Sequence, residues 1–104
     1  MVMSKIFFTI TGTKYYFGQS FLEPGMQVKL RKEPENEHDK EAIRVEVPGL
    51  GKIGYVANST WTVLGESMSA GRMYDSFKKK AYGTVEIITP GGVICSLNKK
   101  KKKL

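Results

Sequence analysis

The chain has little of the chemistry that enzymes and disulfide-rich proteins need. Its 104 residues include one cysteine, Cys95, and one histidine, His38. A single cysteine excludes an internal disulfide, and the Cys and His pairs of structural metal sites do not occur. Gly51-Lys52 lacks the upstream glycine and the downstream hydroxyl of a phosphate-binding loop. These absences argue against catalysis, and we expect no metal and no cofactor.

Long hydrophobic runs are also missing. No stretch approaches the roughly 20 apolar residues that a membrane-spanning helix needs. The short apolar run near the N-terminus has no small-residue cleavage site of the kind that ends a signal peptide. Cys95 lies in a strand-like run, where we expect it to be a small buried side chain. The default expectation is a soluble protein in a reducing cytoplasm.

Positive charge is concentrated at one end of the chain. The formal net charge is +7, and the run Lys99 to Lys103 contributes five of those charges, which leaves +2 for residues 1–98. Like charges repel and the run has no apolar content, so residues 99–104 are expected to be a disordered tail. The tail is either simply solvated or a weak electrostatic aid to nucleic-acid binding. Residues 1–98 are long enough for one small domain.

Alternating apolar and polar residues, with glycine and proline between them, predict β-structure for most of the domain. A hairpin is expected over residues 42–56 because Pro48-Gly49 separates two alternating runs. Six short strands in so small a chain favour a closed or nearly closed barrel, which leaves no exposed edges. The predicted class is therefore mostly β with minor α, with strands over residues 7–11, 26–32, 42–47, 52–56, 81–88 and 93–98.

One main helix is expected between the fourth and fifth strands. Asn58 or Ser59 is a suitable N-cap, and Gly71 a suitable end. One face of that helix would carry residues spaced at i, i+3, i+4 and i+7, namely Trp61, Leu64, Gly65 and Met68. The pattern predicts that Trp61 is part of the core and that the helix covers one end or one seam of the barrel. Residues 74–80 are ambiguous.

Three consecutive aromatic residues, Tyr15, Tyr16 and Phe17, follow Lys14 in a loop after the first strand. Consecutive side chains of an extended chain point to opposite faces, so at least one ring should lie outside the core. An exposed ring beside a cation can stack on a base while the cation contacts a phosphate. The alternative is that these rings pack against the end of the barrel.

The acidic run from Glu33 to Glu41 has no periodicity and is most simply a solvated loop. Its carboxylates have no spacing typical of an acid/base pair. A weak divalent-metal site made by Asp39, His38 and a neighbouring glutamate is an alternative, but the spacing is not diagnostic. Farther along, Gly54 indicates either that another backbone segment approaches the strand closely or that the strand has a bulge. Tyr55 is expected to pack in the core.

Three segments resemble the HIRAN domain: Ile10–Tyr16 (ITGTKYY), Leu30–Ile43 (LRKEPENEHDKEAI) and Gly51–Val56 (GKIGYV). That family occurs at the N-terminus of certain SWI/SNF-type DNA-repair helicases and as free-standing bacterial proteins, and this chain is similar to the latter. The resemblance implies a modified OB-like β-barrel with one main helix. It also implies binding to single-stranded DNA, with a preference for a free 3′ end, in repair or replication. A helicase or a nuclease is then a candidate partner.

The resemblance also implies roles for five residues. Tyr15 matches an aromatic residue that contacts the terminal nucleotide, and Lys14 a basic residue near phosphate. Asn36 matches a polar residue that hydrogen-bonds the DNA, and His38 a ring that stacks with the terminal base. Asp39 matches the carboxylate that accepts a hydrogen bond from the 3′-hydroxyl. A carboxylate accepts from a hydroxyl but repels a 3′-phosphate, so Asp39 is able to read the state of a strand end.

Structural alternatives stand beside these roles. Asp39 is a candidate turn cap, Asn36 a candidate left-handed turn residue, and His38 a candidate structural ring. Glu35 and Glu37 are negative where neutral residues are common in the family, and each costs up to about 1 kcal/mol if it lies beside a phosphate chain. The competing hypothesis is a protein-interaction module without nucleic-acid activity, and a metal-dependent hydrolase is the third.

Overall fold

The computed structural model of the protein describes residues 5–98, and the predicted lysine tail at residues 99–104 lies outside them. Two 3₁₀-helices span Thr13–Tyr15 and Tyr74–Ser76, the second within the segment that the sequence left ambiguous. The remaining elements are six strands and one short helix: β1 (Phe7–Thr11), β2 (Gln27–Lys32), β3 (Ile43–Val47), β4 (Gly51–Val56), α1 (Ala70–Met73), β5 (Lys80–Thr89) and β6 (Gly92–Leu97).

The six strands form a closed antiparallel barrel in the order β1-β4-β3-β2-β5-β6, with β6 paired back to β1. The mostly β class, the six-stranded barrel and the hairpin of β3 and β4 are confirmed. The seam between β1 and β4 consists of two residue pairs, Ile10 with Val56 and Thr11 with Tyr55. Closure matters because it leaves no long row of unpaired backbone groups open to another chain.

The interior of the barrel is filled by the inward half of each alternating strand. On β2, Val28 and Leu30 are buried, while Lys29 and Arg31 point outward and are partly exposed. Cys95 is buried as expected, and burial, with the nearby Glu86 charge, raises the pKa of its thiol to about 12. The largest fully buried side chains come from all six strands and α1: Phe8, Ile10, Leu30, Ile43, Ile53, Met73, Val28, Val45, Val85 and Val93.

Gly54 allows β1 and β4 to approach each other closely. A β-carbon added there would lie 2.7 Å from the carbonyl oxygen of Thr11, a distance that real side chains do not reach. Next to it, Val45 pairs with Gly54 and Glu46 pairs with Lys52, so Ile53 is an extra residue in the ladder. Of the two alternatives expected at Gly54, the close approach is present there, and a bulge lies beside it at Ile53.

The helix predicted from Asn58 or Ser59 to Gly71 is wrong. Residues 57–69 form a loop with turns, and α1 is a single turn that begins after its N-cap Ser69. Trp61, predicted to be in the core, has 92% of its surface exposed. Within residues 5–98, no helix is long and apolar enough to cross a membrane.

The loop is not helical because its backbone donors are used by the barrel. The amide of Leu64 donates to the hydroxyl of Thr9, and the amide of Met68 donates to the carbonyl of Phe7 at 2.7 Å. Locally, the run from Thr60 to Val63 is rich in β-branched residues, which are poor helix formers. Gly65 adopts a φ of +56° inside a separate turn, in which the amide of Ser67 donates to the carbonyl of Leu64. Tertiary hydrogen bonds to β1 therefore override the helical spacing.

Replacing Gly54 with alanine should destabilise the fold by about 1–3 kcal/mol, because the added methyl group overpacks the β1–β4 seam. The measurement is urea unfolding monitored by circular dichroism. Gly91→Ala is the matched control: its β-carbon would have neighbours no closer than 3.7 Å, and we expect a change within about 0.5 kcal/mol. Equal stabilities for the two variants would contradict the close approach.

Candidate functional site

The acidic run folds into a loop of two turns closed at its base. The amide of Glu33 donates to the carbonyl of Ala42 at 2.9 Å, which joins the end of β2 to the start of β3. Above this bond, the amide of Asn36 donates to the carbonyl of Glu33, and the amide of Ala42 donates to that of Asp39. The segment Glu33–Ala42, called here the acidic turn, is therefore tied down at both ends.

Asn36 organises the tip of the acidic turn. Its Oδ1 accepts hydrogen bonds from the backbone amides of His38 at 2.8 Å and Asp39 at 3.0 Å, while its Nδ2 donates to Glu33 Oε1 at 3.0 Å. Because no residue other than glycine has a positive φ within residues 5–98, the left-handed alternative for Asn36 is wrong. The side-chain oxygen of Asn36 instead accepts from backbone amides in the turn, in the place of a backbone carbonyl, as asparagine commonly does in turns.

Asp39 connects the acidic turn to the loop before α1. Its Oδ1 accepts from the amide of Glu41 at 2.9 Å, which confirms the turn-capping alternative, and its Oδ2 accepts from Asn58 Nδ2 at 2.9 Å. Asn58 is in turn held by the amide of Gly71, which donates to its Oδ1 at 2.7 Å. A carboxylate has about four acceptor positions. Asp39 can therefore keep both contacts and still accept another donor.

The remaining side chains of the tip face solvent. His38, Glu35 and Glu37 are exposed, and none of the three side chains makes a hydrogen bond or ion pair within residues 5–98. The structural-ring alternative for His38 therefore has no side-chain hydrogen bond or ion pair within residues 5–98 to support it. The tip presents the imidazole ring of His38 and the carboxylates of Glu35 and Glu37 to solvent, next in the chain to the ordered side chains of Asn36 and Asp39.

The outer side of the barrel supports this turn through Glu33. Its Oε1 accepts from the hydroxyl of Tyr55 at 2.8 Å, and its Oε2 lies 3.4 Å from Nη1 of Arg44. The Tyr55 hydroxyl also accepts from Lys52 Nζ at 2.9 Å. The expectation that Tyr55 packs in the core is therefore wrong, because its ring lies on the outer face and its hydroxyl joins Lys52 to Glu33.

These contacts shift three ionisation equilibria. Burial raises the pKa of Glu33, but hydrogen bonds from Asn36 and Tyr55 and the charges of Lys52 and Arg44 outweigh it, so the pKa lies below its ordinary value. Burial raises the pKa of Tyr55, and the hydrogen bond to Tyr55 raises the pKa of Lys52. All three shifts keep a carboxylate, a neutral phenol and an ammonium group at neutral pH.

Lys14 and Tyr15 lie at a second position, in the 3₁₀-helix after β1. Gly12, with a φ of +76°, turns the chain out of β1 and places both side chains at the surface. Tyr15 is 75% exposed and Lys14 Nζ lies 5.3 Å from the centre of its ring. Tyr16 and Phe17 are exposed too, so the expectation of at least one ring outside the core is confirmed.

A cleft of about 630 Å³ opens beside these two residues. Its walls are the end of β1, the loop after it and the β5–β6 turn, and it is lined by residues 10–15, Gly18, Gln19, Thr62 and residues 90–92. A shallower depression of about 410 Å³ is lined by residues 32–36 at the acidic turn. The five predicted site residues therefore form two groups, one at each depression or next to it.

The two groups are connected through the outer face of β4. Lys52 Nζ lies 5.3 Å from the ring centre of Tyr16 and 4.9 Å from that of Tyr55, whose hydroxyl leads to Glu33 and Asn36. Within residues 5–98, no hydrogen bond or ion pair joins Lys14 or Tyr15 directly to Asn36, His38 or Asp39. The structure thus brings together Asn36, His38 and Asp39 and links them indirectly to the aromatic loop.

Sequence reasoning did not identify Tyr16, Glu33, Lys52, Tyr55 and Asn58 as parts of this arrangement. One signal was available: Val56 is an inward residue at the end of β4, so its neighbour Tyr55 had to point outward. The same residues offer no recognisable metal centre, since no group of three potential ligands occurs within residues 5–98.

Comparison with known proteins gives two similarities. The family model of the HIRAN domain matches residues 3–92. A crystal structure of a protein from Lactobacillus plantarum, solved as a structural genomics target, has a TM-score of 0.61 and 23% sequence identity, and the match covers 90% of this chain and 93% of that one. At this identity the second similarity concerns the fold alone. No curated protein matches the sequence.

Glu33→Gln should make the free energy of unfolding of the domain less dependent on pH in the acid range. The pKa of Glu33 is lowered on folding, so its contribution is present above its ordinary value of 4.5 and is lost as pH falls through the folded value. We therefore expect the variant to be less stable than the native chain at pH 7 and to approach it below pH 4.5.

Urea unfolding across this pH range measures the difference. Glu66→Gln removes an exposed carboxylate from the loop before α1 and is the control. A stability gap between Glu33→Gln and the native chain that stays constant down to the acid limit would contradict the role given to the Glu33 carboxylate.

Proposed function

The chain belongs to the HIRAN domain family, and we propose that it recognises single-stranded DNA, at free 3′-hydroxyl ends, as an accessory to DNA repair or replication. HIRAN domains are a family of DNA-binding modules, which supports a nucleic-acid-binding accessory role. The end preference, the repair or replication setting, and a helicase or nuclease partner are parts of the proposal. So is the absence of enzymatic activity.

The observation that carries the proposal is the geometry of the acidic turn. Asn36 holds the amides of His38 and Asp39 with one side-chain oxygen, so the three residues form one ordered tip. An ordered tip pays little additional entropy when a ligand binds. Asp39 supplies an acceptor for a hydroxyl, Asn36 keeps one Nδ2 hydrogen to donate, and the exposed imidazole of His38 supplies a ring for a base.

End recognition follows from the charge of Asp39. A 3′-hydroxyl can donate to the carboxylate, whereas a 3′-phosphate places negative charge against it. Asn58 and the amide of Glu41 fix the two oxygens without neutralising them. The carboxylate is therefore positioned to discriminate between the two kinds of strand end by charge and not by shape.

The aromatic loop supports contact with nucleotides. Tyr15 is 75% exposed, and the ammonium group of Lys14 lies 5.3 Å from its ring centre. Base–aromatic stacking contributes about 1–3 kcal/mol per base and tolerates any base. In the proposal Tyr15 stacks and Lys14 meets a phosphate, while the acidic turn holds the strand end.

A protein-interaction module is the second candidate, favoured by one observation. Trp61 is 92% exposed in the loop before α1, and aromatic residues are enriched at protein interfaces. A pull-down with and without nuclease separates the two functions. A partner protein retained after nuclease treatment supports the second candidate, and one lost with the nucleic acid supports the first.

Asp39→Asn should abolish the preference for a 3′-hydroxyl. Asparagine keeps an oxygen for the amide of Glu41 but removes the charge that repels a 3′-phosphate. We expect the native chain to bind a 3′-hydroxyl oligonucleotide roughly tenfold or more tightly than the matched 3′-phosphate, since a hydrogen bond to a charged group contributes about 1.5–3 kcal/mol. Fluorescence anisotropy measures both affinities.

The ratio of the two affinities is insensitive to partial loss of folded protein. Glu41→Gln is the matched control, because Glu41 also approaches Asn58, at 3.5 Å, but is not placed at the strand end. The control should keep the native ratio. A native chain that binds both ends equally would refute end recognition.

Neutralising Glu35 and Glu37 should strengthen binding to linear single strands. Both carboxylates are exposed at the tip and make no ion pair within residues 5–98, and each costs up to about 1 kcal/mol beside a phosphate chain. The double variant Glu35→Gln/Glu37→Gln should therefore bind severalfold more tightly in the same anisotropy assay. The double variant Glu23→Gln/Glu66→Gln has the same net charge and should gain much less. Equal gains would show that the tip is not beside the strand.

A further inference from the structure

The outer faces of β5, β2, β3 and β4 carry two rows of side chains set by strand register. In the first row, Lys80 pairs with Arg31, Arg31 with Arg44, and Arg44 with Tyr55. In the second row, the order is Tyr82, Lys29, Glu46 and Lys52. With strands spaced by about 4.8 Å, each row extends roughly 14 Å across the barrel.

The first row places three cations directly opposite one another. Like charges in opposed positions on neighbouring strands are destabilising. Glu46 relieves part of this repulsion, because its Oε2 accepts from Arg44 Nε and lies 3.5 Å from Arg31 Nε. Glu46, between the two guanidinium groups, and Glu33, 3.4 Å from Arg44, balance the charge of the two arginines. The surplus positive charge therefore comes from the lysines, of which Lys80 and Lys29 make no ion pair within residues 5–98.

The positive charge of residues 1–98 is therefore localised on this surface, called here the basic wall. It contains five cations and two carboxylates: Lys29, Arg31, Arg44, Lys52, Lys80, Glu33 and Glu46. The resulting excess is +3, whereas residues 1–98 together carry +2, so the rest of the domain is net negative. Lys78 and Lys79, both exposed, precede Lys80 and extend the positive area.

We propose that the basic wall binds the phosphodiester backbone of single-stranded nucleic acid independently of its ends. The side chains of Arg31 and Arg44 are 42% and 34% exposed, although Arg31 Nε is buried and Arg44 is engaged by two carboxylates. Lys29 and Lys80, which have no carboxylate partner within residues 5–98, are therefore the cations offered to phosphates. Tyr82 and Tyr55, both half-buried, lie in the rows beside the cations, and in the proposal the exposed part of each ring contacts a base. Interleaved cations and aromatic rings are the arrangement that sequence-independent single-strand sites use.

The basic wall is continuous with the acidic turn. Glu33, the first residue of the turn, contacts Arg44 and Tyr55 of the first row. A strand lying on the wall would therefore reach the tip that holds Asn36 and Asp39. Binding along the basic wall does not depend on recognition of a strand end by the acidic turn. An experiment can therefore contradict one proposal and leave the other intact.

A circular oligothymidylate, which has no ends, is the probe for the wall. Lys29→Gln/Lys80→Gln in the full chain should bind it roughly 25-fold more weakly at 0.1 M salt, since each of the two phosphate contacts contributes about fivefold there. The slope of log affinity against log salt should shrink by about 0.7 per lost contact. Lys5→Gln/Arg72→Gln, two exposed cations outside the rows, has the same net charge and the same tail and should change binding much less.

Glu46→Gln gives a change that misfolding cannot imitate. It keeps an acceptor for Arg44 and removes one negative charge from the wall, so the circle should bind more tightly. Equal affinity of the two double variants for the circle, or no increase in affinity from Glu46→Gln, would contradict nucleic-acid binding by the basic wall. Linear 3′-hydroxyl and 3′-phosphate strands, measured in the same assay, test end recognition separately. If the native chain binds the two linear strands with equal affinity, end recognition is contradicted, but binding by the basic wall is not.

Discussion

The Glu33 carboxylate holds together the parts of the molecule that we assign to binding. It accepts hydrogen bonds from Asn36 on one side and Tyr55 on the other, and Arg44 lies 3.4 Å away. The tip of the acidic turn, the outer face of β4 and the cations of the barrel surface therefore meet at one side chain. Because these partners outweigh its burial, the pKa of Glu33 is lowered and the carboxylate stays charged at neutral pH.

Charge is divided between two neighbouring surfaces with opposite effects on a polyanion. The basic wall attracts phosphates along the body of a strand, whereas Glu35, Glu37 and Asp39 concentrate negative charge at the acidic turn. Tight binding along the wall combined with repulsion at the tip favours a strand whose last group is neutral. A hydroxyl end meets that condition and a phosphate end does not, so the same carboxylates that lower affinity can sharpen selectivity.

The strands were predictable because their alternation is a local property, and inward residues such as Val28 and Leu30 follow it directly. The loop found in place of the predicted helix over residues 58–71 was not predictable in this way. Hydrogen bonds to β1 determine its conformation and leave Trp61 exposed. Asn36 and Asp39 were placed in one turn because they are neighbours in the chain. The contact of Tyr55 with Glu33 depends on register and on the bulge at Ile53, which no local pattern shows.

Nuclear magnetic resonance can show whether the acidic turn and the aromatic loop together receive a strand end. Backbone amide shifts of the full chain would be followed while a short 3′-hydroxyl oligonucleotide is added. We expect the largest changes at residues 14–17 and 36–39, and we expect a 3′-phosphate to reduce those at residues 36–39. Changes confined to other segments, or the same pattern for both ends, would contradict this expectation.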